Sequence, residues 1–299
     1  MGNILGAFAF MPQSREPESP ASKQLCSIRE QLTYLEASDD EEDSGINIPA
    51  RKVEIRVYDP PSNPAVSIVF LYAHGNAQSI GSDSRNMRNL SDALGATFVE
   101  WEYPGYADGE SKWVACEQYA NFAAVEAYDW VARNRPGSFI IPWGYSLGAS
   151  FACHIARERK VHGLVLQSAF TSFWGQLLGT DRLPANAFKN HEMLKQSCAS
   201  LEAGVVLIHG AEDATVSSTN SLSLMKTCSD AGVVPNSTSM QAPLLYLSLI
   251  HGRGHVGFSL GDLTSSVTPL IRRVVQMHKD KVAARQQQLV QPPDAVSMA

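Results

Sequence analysis

Short apolar segments alternate with longer amphipathic segments along most of the chain. Most of the short segments are apolar at nearly every position, which is typical of strands buried on both faces of a parallel sheet. The first one instead alternates polar and apolar residues, the period-two pattern of a strand with one exposed face. The predicted strands cover residues 52–58, 66–72, 97–101, 138–142, 163–167, 204–208 and 244–250.

The segments between these strands have apolar residues at three-to-four spacing, which predicts amphipathic helices. The predicted helices cover residues 87–94, 113–134, 151–159, 217–228 and 260–281. Strands that alternate with helices predict an α/β fold, in which helices cover both faces of a mainly parallel sheet. In such a sheet the functional site lies at the carboxyl ends of the strands, so we looked for chemistry in the loops that follow them.

The two ends of the chain lack this alternation. Residues 1–47 contain a polar, Pro-rich stretch and an acidic run at 36–43, which predict a flexible tail. Residues 285–299 are polar and predict a second flexible tail, so that one folded domain spans 48–284. Three apolar residues inside the first tail are able to dock a short stretch of it onto the domain: Leu32, Tyr34 and Leu35.

The composition excludes several classes of protein. The 299 residues are 44% hydrophobic and 18% charged, which suits one large or two small domains with a real core. A formal net charge of −6, without a basic and aromatic patch, argues against nucleic-acid binding. The five cysteines are scattered and lack metal-site spacing, which argues for a reducing compartment and against a disulfide framework or zinc. No apolar run reaches the ~18 residues of a membrane-spanning helix.

The first residues resemble the start of an N-myristoylated protein, with Gly2 exposed once Met1 is removed. Gly6 stands where that motif has Ser or Thr, so a plain disordered start is the alternative. A single myristoyl chain binds membranes marginally, and neither a nearby cysteine nor a basic cluster adds to it. We therefore expect a cytoplasmic protein with at most weak, reversible contact with the cytoplasmic face of a membrane.

One motif lies between a predicted strand and a predicted helix: Gly144-Tyr145-Ser146-Leu147-Gly148. A Gly-x-Ser-x-Gly sequence in this context is typical of a nucleophile elbow, a turn that exposes the serine hydroxyl above the sheet. The turn is so sharp that side chains at the two glycine positions would clash with neighbouring backbone. The alternative is a helix-capping serine among small residues.

The loop after strand 66–72 offers partners for such a serine. Its residues His74-Gly75-Asn76-Ala77 include small side chains that allow backbone N–H groups to point into a cavity. Together with the N–H of Leu147, these groups predict an oxyanion hole, although an ordinary Gly-Asn turn is the alternative.

Candidate acids follow strand 204–208. Glu212 and Asp213 compete for this role, since either carboxylate can orient and stabilise an imidazolium. His209 precedes a tight glycine turn and is predicted to be structural.

Candidate bases follow the last strand, in a loop that contains two glycines and two histidines. His255 stands farther from the strand than His251 and is better placed to reach Ser146, with His251 as the alternative. A serine, then an acid, then a histidine is the order along the chain of an α/β-hydrolase, and this agreement favours the elbow over a helix cap.

Residues from about 50 to 275 resemble the α/β-hydrolase-domain family described as serine aminopeptidase-like or dienelactone hydrolase-like. The resemblance is closest to the branch of protein-depalmitoylating α/β-hydrolase-domain proteins. It rests on five segments: His74–Ala77, Tyr103–Tyr106, Gly144–Gly148, His209–Val216 and Gly254-His255.

This resemblance implies roles for individual residues. The family pattern His-Gly-x-x-Asp-x-x-Val implies Asp213 as the acid, and the Gly-His pair implies His255 as the base. It also implies Asn76 or Ala77 as an oxyanion donor beside Leu147. The chain departs from the family in the residues of 107–111, in the lack of an N-terminal cysteine cluster, and in an added surface loop at 229–242.

Together these features predict a serine hydrolase with the α/β-hydrolase fold and a short lid. It is expected to cleave an acyl ester or thioester of a fatty-acyl lipid or an acylated protein through an acyl-enzyme, without a metal or organic cofactor. Phe170 and Trp174 of the lid segment 170–203 predict an apolar acyl groove, with core packing as the alternative. A serine peptidase and a non-catalytic binding protein are the other functions to consider.

Overall fold

One sheet of eight strands forms the centre of the computed structural model, which describes residues 30–36, 52–106, 115–178, 187–237, 239–240 and 242–290. The strands are β1 (Glu30–Glu36), β2 (Lys52–Tyr58), β3 (Ile68–Ala73), β4 (Thr97–Trp101), β5 (Phe139–Tyr145), β6 (Gly163–Gln167), β7 (Gly204–Gly210) and β8 (Leu244–Ile250). The helices are α1 (Ser84–Leu94), α2 (Glu117–Asn134), α3 (Gly148–Glu158), α4 (Phe173–Leu178), α5 (Asn190–Ser197), α6 (Thr219–Asp230) and α7 (Leu260–Val290). A 3₁₀ turn, Cys198–Ser200, follows α5.

The strand order confirms the predicted mainly parallel sheet. Across the sheet the order is β1-β2-β4-β3-β5-β6-β7-β8. The strand β2 pairs antiparallel with both β1 and β4, and all other neighbouring strands pair in parallel. In the register of the parallel strands Ala73 pairs with Gly144, and Tyr145 pairs with Gln167. The carboxyl ends of β3, β5 and β6 therefore lie side by side, as the search for a site at this edge assumed.

Helices cover both faces of the sheet, as predicted. On one face α2, α3, α5 and α6 pack on a core of apolar side chains that includes Leu71, Phe151 and Leu207. On the other face α1 and α7 pack on a second core that includes Phe70 and Trp143. The five strands from β3 to β7 are buried along their whole length, which explains why their sequences are almost continuously apolar.

The prediction of an exposed polar face on β2 is wrong. Glu54 and Arg56, the polar residues of its alternating pattern, are 8% and 7% exposed, and their side chains form an ion pair of 3.9 Å. The loop after β3 covers them, since a Cβ atom on Gly81 would collide with the Arg56 guanidinium. The alternation of this strand thus reflects buried charges under a loop.

The prediction of a flexible tail over 1–47 is wrong for Glu30–Glu36, which form β1. The prediction that the stretch with Leu32, Tyr34 and Leu35 is able to dock onto the domain is confirmed by the same strand. This strand pairs antiparallel with β2, from Glu30 opposite Tyr58 to Glu36 opposite Lys52. The pairing satisfies the outer backbone groups of β2, which would otherwise form the edge of the sheet. The acidic residues 37–43 and the other residues of this tail lie outside the described residues.

The prediction of a flexible tail over 285–299 is wrong for its first residues, because α7 continues to Val290. The segment 282–288 is Val-Ala-Ala-Arg-Gln-Gln-Gln, and Ala, Arg and Gln are strong helix formers. Residues 291–299 lie outside the described part of the chain.

Arg273, Val233 and Asn236 attach the added segment at 229–242 to the domain: Val233 packs in the core, and the Asn236 N–H donates to the Leu245 carbonyl at 2.9 Å. Arg273 of α7 is only 4% exposed, and its guanidinium donates to the carbonyls of Ser237, Ser239 and Ala242. The predicted lid segment contains α4 and α5, and α5 packs against α3 on the domain.

Candidate active site

The elbow has the backbone geometry that its two glycines predict. Ser146 lies between β5 and α3 with φ +53°, in the left-handed region that a non-glycine residue adopts only at a cost. A Cβ atom on Gly144 would collide with the carbonyl of Gly148, and one on Gly148 would collide with the carbonyl of Ala73. Both neighbours are backbone atoms, so the turn admits no side chain at either position.

Replacing Gly148 by alanine is therefore expected to lower the free energy of unfolding by about 3 kcal/mol or more, the upper range for overpacking a core. Urea unfolding followed by circular dichroism measures this loss. Gly261→Ala is the matched control, because a Cβ there meets only the Ser259 hydroxyl at 3.8 Å and alanine favours a helix. An equally stable Gly148→Ala protein would show that the elbow is looser than described.

The structure brings Ser146, His255 and Asp213 together in one hydrogen-bonded chain. The Ser146 Oγ lies 2.9 Å from His255 Nε2, and His255 Nδ1 lies 2.8 Å from Asp213 Oδ2. The other carboxylate oxygen of Asp213 accepts the backbone N–H groups of Thr215 and Val216 at 2.9 and 2.8 Å. The Asp213 side chain is fully buried while that of His255 is 16% exposed. The carboxylate is thus fixed in place and the imidazole is accessible.

Of the competing candidates, Glu212 and His251 lie outside this chain, whereas His209 Nε2 lies 3.2 Å from Asp213 Oδ2. Glu212 and His251 are 57% and 85% exposed, and they lie 4.0 Å from each other in a surface ion pair. His209 is buried, with its ring nitrogens 2.7 Å from the Ser221 hydroxyl and 2.9 Å from the Val216 carbonyl. Burial lowers the pKa of His209, so this ring is a neutral structural group.

The predicted oxyanion loop lies beside the elbow, and the start of α3 is at Leu147. Tyr106 Oη donates to the side-chain oxygen of Asn76, and the same oxygen accepts the backbone N–H of Ala77 at 3.1 Å. The Asn76 side chain thus joins Tyr106 to Ala77 within the loop, and Asn76 and Ala77 both stay candidates for the second donor beside Leu147.

Buried polar groups hold this loop from the side of β4. His74 Nε2 lies 3.0 Å from Glu102 Oε1, and the other oxygen of Glu102 accepts the N–H of Ile80 at 2.9 Å. The Tyr103 hydroxyl donates to the carbonyl of His74, and the two rings stack with centroids 3.9 Å apart. The loop that precedes the site is therefore fixed by side chains from a neighbouring strand end.

A second carboxyl group in this region, that of Glu100, accepts the Tyr58 hydroxyl at 2.8 Å and the N–H of Gly81 at 3.2 Å. Burial raises its pKa from 4.5 to about 7, against the opposing effect of these hydrogen bonds and of nearby positive charge. The folded protein thus binds this proton more tightly than the unfolded chain does. This proton therefore stabilises the folded state relative to the unfolded chain. The stabilisation is complete below pH 4.5 and is lost as the pH rises through about 7.

Replacing Glu100 by glutamine is expected to flatten this part of the stability profile. The free energy of unfolding of the parent should fall between pH 5 and pH 8 by up to about 3 kcal/mol more than that of the variant. Urea titrations at both pH values measure the difference, and Glu158→Gln, at an exposed site, controls for the loss of one charge. Parallel profiles for parent and Glu100→Gln would contradict the raised pKa.

The predicted substrate-binding residues are only partly described. Phe170 is 8% exposed and its ring packs edge-on against Phe188, so the structure places it in the core and not along an open groove. Trp174 belongs to α4, but its side chain lies outside the described residues, as does Gly2.

No group of three or more His, Cys, Asp or Glu side chains among the described residues is arranged to hold a metal ion. None of the described helices has both the length and the hydropathy that crossing a bilayer requires.

Several supporting residues escaped the sequence reasoning. Tyr103 and Tyr106 belong to a segment that carries the family resemblance, but no role followed from it. Glu102 had a detectable signal, since a carboxylate at the end of a buried strand is unusual. The sequence predicted no role for Tyr145, the variable residue of the elbow motif. In the structure its hydroxyl donates to the carbonyl of His255 at 3.0 Å.

Comparisons with known proteins point to the same fold. No family model matches the chain. It is similar to lysophosphatidylserine lipase ABHD12 of Gallus gallus, with 31% identity over 110 residues that cover 35% of this chain and 28% of that protein. It is also similar to alpha/beta hydrolase domain-containing protein 17B of Xenopus laevis, with 25% identity over 171 residues that cover 55% and 57%. Each match spans less than two thirds of the relative.

A solved structure extends the similarity to nearly the whole domain. An α/β serine hydrolase without lid from Xanthomonas campestris superposes with a TM-score of 0.52 at 18% identity, over 86% of this chain and 97% of that one. The strand order and these structural similarities show that the chain has the α/β-hydrolase fold.

Proposed function

We propose that the chain is a serine hydrolase that cleaves an acyl ester or thioester through an acyl-enzyme, with Ser146, His255 and Asp213 as the catalytic triad. The observation that carries this proposal is the continuous hydrogen-bonded chain from the Ser146 hydroxyl through the imidazole to the buried carboxylate. A serine that only capped a helix would need neither the strained backbone nor the two partners.

The mechanism follows from these contacts. His255 Nε2 accepts the hydroxyl proton as Ser146 Oγ attacks the acyl carbonyl, and Asp213 stabilises the imidazolium that forms. The backbone N–H groups of Leu147 and of Asn76 or Ala77 stabilise the oxyanion, each worth roughly 3 kcal/mol in the transition state. The imidazolium then protonates the leaving group. Water, activated by His255 in the same way, hydrolyses the acyl-enzyme.

The acyl group is proposed to be a fatty acyl chain, carried by a lipid or by a protein. The name of the Gallus gallus relative, a lipase, supports a lipid ester, and the family resemblance of the sequence supports an acylated protein. Weak membrane contact through an acylated Gly2 would bring the site close to either substrate, and this acylation stays a prediction.

A panel of substrates tests the proposal. The p-nitrophenyl esters of acyl chains from two to sixteen carbons are compared with one thioester and one anilide of the same acyl group. We expect kcat/KM to rise with chain length and to be at least 10²-fold higher for esters and thioesters than for the anilide. Faster cleavage of the anilide would favour a peptidase. Failure of the folded protein to react with a fluorophosphonate would favour the non-catalytic binding protein.

A further inference from the structure

A cavity of about 200 Å³ lies beside the triad, on the face of the sheet that α1 and α7 cover. Tyr145 of the elbow forms part of its wall, and so does Gln78, which follows the oxyanion loop. Val256, Gly257 and Phe258, the residues directly after His255, close another side. The elbow, the end of the oxyanion loop and the loop after His255 therefore contribute to this cavity, whereas the loop that carries Asp213 does not.

Two polar side chains in the wall have donor groups without partners. Tyr72 and Gln167 are each 6% exposed. The side-chain oxygen of Gln167 accepts the indole N–H of Trp143 at 3.1 Å, but its amide N–H₂ and the Tyr72 hydroxyl have no hydrogen-bond partner among the residues that the structure describes. Neither donor is among the described side-chain atoms that are buried without a partner, so both groups are accessible from the cavity and available to a ligand in it.

The charge of the wall restricts that ligand. Asp83 is the charged residue among the lining side chains, and neither Lys nor Arg lines the cavity. The Asp83 carboxylate accepts the side-chain amide of Asn86 at 2.6 Å, and Met87, Leu90 and other apolar residues form much of the remaining wall. A phosphate or carboxylate would lose water here without gaining a cationic partner. A hydroxyl group, which both donates and accepts, fits the donors and the carboxylate.

The position of the cavity, beside the histidine, matches that of the leaving group of the substrate. Tyr145 lines the cavity and contacts the triad histidine, with its ring centroid 5.5 Å from that of the His255 ring and its hydroxyl bound to the His255 carbonyl. In acylation the bond from the carbonyl carbon to Ser146 Oγ forms, the bond to the leaving oxygen breaks, and His255 gives that oxygen its proton. The leaving group therefore lies on the histidine side, next to this cavity.

We propose that this cavity, the leaving-group pocket, receives the alcohol part of the substrate and selects an uncharged, hydroxyl-bearing alcohol over one that carries phosphate. The Tyr72 hydroxyl and the Gln167 amide donate to the distal hydroxyl group, and Asp83 disfavours an anion. This inference rests on the proposed hydrolase function and adds the class of alcohol to it.

Esters of one acyl chain with matched alcohols test the pocket. The 2-hydroxyethyl and n-propyl esters have leaving groups of equal size, and the 2-phosphoethyl ester adds an anion to the first. We expect kcat/KM to be at least 10-fold lower for the phosphoethyl ester than for the hydroxyethyl ester. In Tyr72→Phe, the ratio of kcat/KM for the hydroxyethyl ester to that for the propyl ester should fall roughly 2- to 10-fold, the value of one hydrogen bond.

Matched variants separate the pocket from general effects. Tyr246→Phe removes a hydroxyl on the same face of the sheet but outside the cavity, and should keep the parent ratio. Asp83→Asn should reduce the discrimination against the phosphoethyl ester, whereas Asp92→Asn, at an exposed site on the same helix, should not. Since Tyr72 makes no hydrogen bond in the described structure, its variant is expected to fold like the parent.

The outcomes distinguish the two proposals. If the parent reacts with a fluorophosphonate and cleaves the propyl ester, but Tyr72→Phe keeps the parent ratio, the leaving-group pocket is wrong and the hydrolase stands. Equal rates for the phosphoethyl and hydroxyethyl esters would overturn the charge selection in the same way. If the folded parent neither reacts with the fluorophosphonate nor cleaves any ester, the hydrolase proposal fails and the pocket proposal fails with it.

Discussion

Replacing Ser146 by alanine is expected to lower kcat for a fatty-acyl ester by roughly 10⁶-fold, the loss seen when a serine protease is deprived of its nucleophile. The variant has no oxygen to form the acyl-enzyme, so labelling by a fluorophosphonate should disappear as well. Hydrolysis somewhat above the rate in water is expected to persist, because the proposed oxyanion donors, Leu147 and Asn76 or Ala77, remain. Steady-state kinetics and gel detection of the labelled protein measure the two effects.

Ser150→Ala is the matched control for this variant. Ser150 lies one turn further along α3, is 1% exposed, and its hydroxyl has no hydrogen-bond partner within the described structure. Removing that hydroxyl should leave both labelling and kcat within about 2-fold of the parent, since no interaction is lost. If Ser146→Ala kept its labelling, the nucleophile would be a different residue and the elbow would have another role.

The positions of the triad residues were predictable because each one follows a strand that is apolar enough to recognise. Parallel strands bring their carboxyl ends to one edge of the sheet, so Ser146, Asp213 and His255 meet although they are far apart along the chain. The choice between Glu212 and Asp213 needed the family pattern, because both carboxylates follow the same strand. The structure separates them by burial, with one side chain fully buried and the other mostly exposed.

The features that sequence reasoning missed depend on contacts between distant strands. Glu54 and Arg56 have the pattern of a solvent-facing strand, and only the loop that lies over them makes them buried. The strand Glu30–Glu36 is surrounded by polar and acidic residues, so its composition resembled that of a tail. The free edge of β2 that it covers is visible only once the sheet is assembled.

The supporting network of the oxyanion loop was unpredictable for a related reason. Glu102 and Tyr103 contact His74 because β4 lies beside β3, an adjacency that follows from the strand order of the assembled sheet. The wall of the leaving-group pocket likewise consists of residues from three strand ends and two helices, so it follows only from the assembled sheet. Local motifs therefore predict the reacting groups, and the packing determines what holds and surrounds them.

Replacing Asp213 by asparagine is expected to lower kcat by roughly 10⁴-fold, with little change in KM or in stability. The reason lies in the two oxygens of this carboxylate. Oδ1 accepts two backbone N–H groups, from Thr215 and Val216, so the amide oxygen of an asparagine has to occupy that position. Its N–H₂ group then faces His255 Nδ1 in place of Oδ2.

An amide N–H₂ in that position donates to Nδ1 and forces the proton of the neutral imidazole onto Nε2. The Nε2 atom that lies 2.9 Å from Ser146 Oγ would then carry a hydrogen and would be unable to accept the hydroxyl proton. The geometry of the triad would survive while its proton transfer fails. Kinetics of ester hydrolysis and the rate of fluorophosphonate labelling should therefore fall together.

Glu212→Gln is the control that decides between the neighbouring carboxylates. Its side chain is 57% exposed and contacts only His251 in the surface ion pair described above, so kcat should stay within about 2-fold of the parent. A large loss in Glu212→Gln with an active Asp213→Asn would mean that the loop rearranges when substrate binds. The opposite pattern would mean that the buried carboxylate selects the imidazole tautomer, and so makes Ser146 a nucleophile.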